Sequence, residues 1–202
     1  MTGDDSGLID RLRCRDRSAM EEVVRTHHGF LIGIVRPLVG TESAEDVVQE
    51  TWIKAFTAFA RFEGRASLRT WLAQIALNTA RSRRRSRGHE VALEEWGRDP
   101  GSPVADRFSP DGRWSDPPLA WHHSTPDELL TEEELRSCIE KHLQQLPPDQ
   151  QTVLRLRDFE DMELFDIAEV TDLSEGNVRV LLHRARQKLH AMIDHFEKVG
   201  TC

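Results

Sequence analysis

Residues 68–87 read LRTWLAQIALNTARSRRRSR. Leu68, Trp71, Leu72, Ile75 and Ala76 stand at i, i+3, i+4, i+7 and i+8, the spacing that lines one face of an α-helix. Ser67 precedes the stripe, where a side-chain oxygen accepts from the first free backbone N–H groups. The stripe then runs into Arg81, Arg83, Arg84, Arg85 and Arg87. One end of such a helix anchors in a core, and the other is presented to a polyanion.

The same period recurs on both sides. Ser18-x-x-Glu21 forms a capping box for a helix in which Met20, Val23, Val24, His27, Phe30, Leu31, Ile34, Val35 and Leu38 keep helical spacing, with Pro37 placed to bend or end it. Ser43-x-x-Asp46 opens another, with Val47, Val48, Thr51, Trp52, Ala55, Phe56 and Phe59 on one face. Further on, Thr125-Pro126-Asp127-Glu128 starts a helix that Pro147-Pro148 stops, and Gln151 to Arg157 form the next. Strand-type alternation persists nowhere. The pattern predicts an all-α fold of two small helical domains, residues 1–87 and 127–202, joined by a flexible linker over 88–126.

The linker carries six prolines and four glycines, together with Trp96, Phe108, Trp114 and Trp121. Either those aromatics pack back on the domains, or the segment lies extended in a partner's groove. Charge is unevenly divided. Residues 1–87 hold 15 Lys/Arg against 11 Asp/Glu, the linker 3 against 7, and residues 127–202 9 against 17. The basic density is therefore local within a chain of net charge −8.

The opening MTGDDSGLIDRLR lacks the apolar core of a signal peptide, and no apolar run is long enough to span a bilayer, so a cytoplasmic protein without membrane insertion is expected. Cys14, Cys138 and Cys202 are too scattered for a disulfide framework or zinc site. No P-loop, nucleophile elbow or H-E-x-x-H motif is present. The sequence thus offers no catalytic residue, metal ligand, cofactor or small-molecule substrate.

Residues 165–189, FDIAEVTDLSEGNVRVLLHRARQKL, fit a helix-turn-helix. Ile167 and Ala168 face inward, the turn centres on Asp172 and Leu173, and a second helix begins at Ser174. That helix shows Glu175, Asn177, Arg179, His183, Arg184 and Arg186 on its outer faces, and it can enter a major groove with its N-terminal half toward base edges. The bland alternative is a helical hairpin with a solvated charged face. A similar choice holds for the acidic, amide-rich face of Glu45 to Trp52, either solvated or a protein-docking surface.

Taken together, these segments resemble an extracytoplasmic-function (ECF, group IV) sigma factor of bacterial RNA polymerase. AEDVVQETWIKAF is similar to the family's helix that docks on the clamp helices of the polymerase largest subunit. FEGRASLRTWLAQIALNTARSRRR is similar to the loop and helix that melt and read the minus-ten element. The helix-turn-helix is similar to the region that reads the minus-thirty-five element. The resemblance implies core-polymerase contacts from Asp46, Gln49, Glu50 and Trp52. It implies minus-ten contacts from Phe62, Glu63, Gly64, Arg65, Ser67, Asn78, Arg81, Arg84 and Arg85. It implies minus-thirty-five contacts from Ser174, Asn177, Arg179, His183, Arg184 and Arg186. The implied partners are core polymerase, through its clamp helices and flap, promoter DNA, and an anti-sigma factor.

The chain departs from the family pattern at Asp172, where Gly is common, at Val180-Leu181 in place of a Ser-Arg pair, at Ser82 and at Leu77. Two other readings remain open at this level. One is a standalone helix-turn-helix regulator, and the other a protein-interaction module that keeps the fold without transcription activity.

Overall fold

The computed structural model describes residues 5–86 and 132–199. The linker, its aromatics, the Thr125-Pro126 helix start and Cys202 lie outside them. Helices α1 (Asp5–Arg13), α2 (Arg17–Val39), α3 (Thr41–Ala58) and α4 (Leu68–Ser86) form the first half, with a 3-10 turn at Phe59–Arg61. Helices α5 (Glu132–Leu143), α6 (Pro148–Leu154), α7 (Leu164–Thr171) and α8 (Glu175–Val199) form the second, with a π-type turn at Arg155–Phe159 after α6. No strand occurs among the described residues.

Helix starts follow the local capping chemistry. At α4 the Ser67 hydroxyl oxygen accepts from the Thr70 N–H at 3.0 Å, as the sequence predicts. At α2 the cap is Asp16, whose carboxylate accepts from the Ala19 N–H at 2.8 Å, so Ser18 lies one residue inside the helix and forms no capping box. That cap bond, helped by Arg11, holds the Asp16 carboxyl below its usual range. Helix α3 starts at Thr41 behind Gly40, two residues before the predicted Ser43 start, and Ser43 is buried. Gly40 has φ 80°, a conformation that costs glycine little, and it ends one helix and begins the next without a side-chain cap. Pro37 does not end α2, which runs on to Val39. So near the C-terminus, proline's missing N–H removes only one backbone hydrogen bond.

The predicted stripe of α4 is in place: Leu68, Leu72 and Ala76 are buried, and Trp71 and Ile75 pack against them. Burial extends further, to Thr70, Ala73, Leu77, Thr79 and Ala80. The reason is a second neighbour, because α4 packs on α2 and α3 and also on α7 of the other half. Helix α2 likewise touches α6. Buried side chains of the two halves, from Leu12 to Ala185, form one continuous apolar cluster. Apolar burial between the halves is favourable and adds to the polar contacts that join them.

The turn between α7 and α8 closes as a left-handed cap. Asp172 has φ 54° and ψ 40°, and the Asp172 and Leu173 N–H groups donate to the Glu169 and Ala168 carbonyls at 3.3 and 3.1 Å. Ser174 then caps α8, its hydroxyl oxygen accepting from the Asn177 N–H at 3.2 Å.

Candidate nucleic-acid interface

Helix α3 carries the first surface. Asp46 and Gln49 are exposed, and Glu50 is half-buried and paired with Lys54 at 2.7 Å. Trp52 points the other way. It is 7% exposed, stacks on Phe56 with ring centroids 5.6 Å apart, and directs Nε1 at His28 Nδ1 at 3.4 Å. Trp52 therefore supports this surface from beneath and does not form it. Ile53, four residues beyond Gln49, is 68% exposed and extends the outer face. Its signal in the sequence is a lone apolar residue off the core stripe.

The loop from Phe62 to Ser67 carries the second. Glu63, Gly64, Arg65 and Ser67 are exposed, Gly64 turns the chain with φ 74°, and Arg65 pairs with Glu63 at 2.6 Å. Phe62 is the exception. It is buried against Trp71, ring centroids 4.8 Å apart, and its carbonyl oxygen accepts from Arg13 at 2.6 Å. It anchors the loop to the bundle, and the exposed side chains of the loop belong to its successors. On α4, Asn78 is exposed, Arg84 is half-buried and Arg85 exposed.

Arg81 lies elsewhere than its neighbours. It donates to the Thr171 carbonyl at 2.5 Å and the Val170 carbonyl at 3.4 Å, both at the end of α7. Burial pushes its guanidinium below the ordinary value, opposed by the Asp149 and Asp172 carboxylates. The side chain expected to hold phosphate is thus spent on the helix-turn-helix in this structure. Further polar contacts tie the halves. Arg69, over the Phe30 ring at 4.4 Å, pairs with Glu160, and Glu140 receives Arg155 at 2.8 Å and also Arg36.

Helix α8 carries the third surface. Asn177 is exposed and Arg184 half-buried. Arg179 pairs with Glu175 at 2.7 Å, one turn back. Arg186 is held to Asp158 by bonds of 2.5 and 3.1 Å and so braces α8 to the turn before α7. His183 is half-buried, with Nε2 2.9 Å from Gln187 Nε2, and its pKa is lowered by burial and by Arg184 and Arg186. Of the Val180-Leu181 pair, Leu181 turns into the core at 5% exposure while Val180 stands out at 42%.

The chain matches the sigma-70 region 2 model over residues 23–90 and the sigma-70 region 4 model over residues 136–189. It is 33% identical to an RNA polymerase sigma-H factor of Pseudomonas aeruginosa over 92% of this chain and 91% of that protein. It is 30% identical to the ECF RNA polymerase sigma-E factor of Escherichia coli K12 over 92% of each. Among solved structures it resembles the sigma factor RpoE in complex with the anti-sigma factor NepR from Bartonella quintana, with TM-score 0.57, 21% identity, and coverage of 86% of this chain and 96% of that one. It also resembles CnrH in complex with the cytosolic domain of CnrY, with TM-score 0.56, 23% identity, and coverage of 93% and 96%.

Matches to both regions, in order and with two-domain relatives covered nearly end to end, define the class: a sigma subunit of bacterial RNA polymerase. The chain belongs to the ECF sigma factors of the sigma-70 family. It binds core polymerase and directs initiation at promoters by reading the minus-thirty-five element and melting and reading the minus-ten element. A standalone helix-turn-helix regulator would account for only the second half. Among the described residues, no helix is long and apolar enough to cross a membrane.

Proposed function

We propose that the sigma factor divides its work among the three surfaces. Asp46, Gln49, Glu50 and Ile53 meet the clamp helices of the largest polymerase subunit, with Trp52 bracing them from the core side. Glu63, Gly64, Arg65, Ser67 and Asn78 meet the opened minus-ten strand, and Arg84 and Arg85 hold its phosphates. Arg81 joins them once its α7 carbonyls are released, and Phe62 acts through the loop it anchors.

On α8, Asn177 and Arg184 face the minus-thirty-five bases, with Arg179 and His183 at their flank. Ser174 and Arg186 set the position of the helix, the first by capping it and the second through Asp158. The observation that carries this reading is that Asn78, Arg84 and Arg85 of α4 and Asn177 and Arg184 of α8 lie off the buried apolar faces of their helices.

The finer assignment is to the group IV subclass, acting in the cytoplasm. Its partners beyond polymerase and DNA include an anti-sigma factor. The relatives' complexes with NepR and CnrY support that partner. So does the packing of α4 on α7, which gives a binding protein two DNA-reading elements to cover together.

Run-off transcription with core polymerase across a promoter library tests the reading. Stimulation is expected on a defined subset of promoters, lost in Asn78→Ala and Arg184→Ala. Absence of stimulation on any promoter refutes it.

A further inference from the structure

We propose that Val180 reads the C5-methyl group of a thymine in the upstream promoter element. The inference rests on α8 acting as the recognition helix. Val180 is one of four large apolar side chains that stand exposed among the described residues, with Ile53, Phe159 and Phe165. Single exposed apolar residues are ordinary on protein surfaces. Its place on α8 sets this one apart.

The apolar buried face of α8 at this level is formed by Val178, Leu182 and Ala185, with Leu181 beside them, while Gln187 and His190 are buried further along the helix. With 3.6 residues per turn, Val180 lies roughly 160° around the helix from Val178, on the side that faces away from the core. Its neighbours on that side are Asn177 and Arg184, three residues before and four after. Gly176, one turn back, adds no side chain, so the backbone stands bare beside a short valine and base edges can come close.

Asn177 and Arg184 bring the donors and acceptors that base edges require, whereas Val180 has neither. Its two methyl groups gain only by leaving water against another apolar group. On the major-groove edges of the four bases, the apolar group is the C5-methyl of thymine. A serine at this position would form a hydrogen bond with several bases, while valine trades that latitude for one methyl contact. Leu181 lies in the core, so the pair of departures from the family pattern separates into a packing residue and a reading residue.

The test uses the full chain with core polymerase. Selection from duplex promoters randomised upstream first defines the preferred element. Each thymine of that element is then replaced by deoxyuridine, which removes only the methyl group, and holoenzyme binding is measured for wild type and Val180→Ser. At one position the wild type is expected to weaken about fourfold, the scale of burying one methyl group. Val180→Ser should bind both duplexes alike at that position, with an unchanged melting temperature because the side chain is exposed.

The proposal is overturned if the selected element holds no thymine, if methyl removal has no effect at any position, or if the effect persists in Val180→Ser. It is also overturned if Val180→Ser weakens core-polymerase binding, which would make the residue a protein contact. A selection that enriches no upstream sequence would remove the recognition-helix reading itself. An enriched element with no methyl dependence removes only the role of Val180.

Discussion

The Arg81 guanidinium of α4 donates to the backbone carbonyl of Thr171 at the end of α7, at 2.5 Å. The helix expected to hold the minus-ten strand is thereby joined to the helix-turn-helix expected to read the minus-thirty-five element. Hydrogen bonds involving a charged group contribute about 1.5–3 kcal/mol. Arg81→Ala should shift the balance toward separated halves by roughly tenfold, the equivalent of about 1.4 kcal/mol. Dyes on the two halves, observed in the free protein without DNA, should report a larger separated fraction. An unchanged distance distribution would refute the latch.

Asp172→Gly should leave the turn intact and the stability nearly unchanged, because glycine adopts the observed φ of 54° freely. Asp172→Val should lose about 1–3 kcal/mol, since a β-branched residue is strained there. Denaturant unfolding of the two variants checks the contrast, and equal losses would show that the aspartate matters for its charge toward Arg81.

On α3 the expected effects split by burial. Ile53→Ala should leave the melting temperature unchanged and weaken core-polymerase binding. Trp52→Ala should destabilise the fold by about 3–5 kcal/mol, the usual cost of removing a large buried aromatic. Calorimetry and a polymerase pull-down separate the two, and loss of stability in Ile53→Ala would contradict its placement.

His183 supplies a pH dependence with a definite sign. Its folded pKa lies below the ordinary 6.5, because burial and then Arg184 and Arg186 disfavour the imidazolium. The stability it contributes is complete above the unfolded value and is lost as pH falls through the folded one. The wild type should therefore lose more stability than His183→Gln between pH 7.5 and pH 5.5. Parallel unfolding curves at both pH values would refute this.

Much of this architecture is legible in the sequence. The period of 3.6 places the cores of α2, α3, α4 and α8, and Ser67, Ser174 and the left-handed Asp172 turn follow from local chemistry. Starts drift where two capping residues compete, as Asp16 does with Ser18. The stripe of α4 foretells one buried face, whereas the second depends on α7, which lies far along the chain. For the same reason Arg81 reads as a free cation until Thr171 is placed beside it. Trp52 and Phe62 fall within motifs that suggest contact with partners, yet aromatic bulk draws both into the core. Conversely, Ile53 and Val180 fall off the apolar stripes, a pattern that sequence alone does not separate from noise.

Arg83 on α4 pairs with Asp46 on α3 at 2.9 Å, on the surface of the first half. If Asp46 meets polymerase as proposed, and Arg83 joins Arg84 and Arg85 on phosphate, this pair would couple the two binding events. A polymerase residue engaging Asp46 would release Arg83 toward phosphate, and a phosphate engaging Arg83 would release Asp46 toward polymerase. Each ligand then eases the other's entry by the same factor, as linkage requires. Because an exposed pair is worth only about 0.2–1 kcal/mol, that factor is small, roughly one- to fivefold. The sigma factor would thus carry a modest, reciprocal preference for meeting promoter and enzyme together.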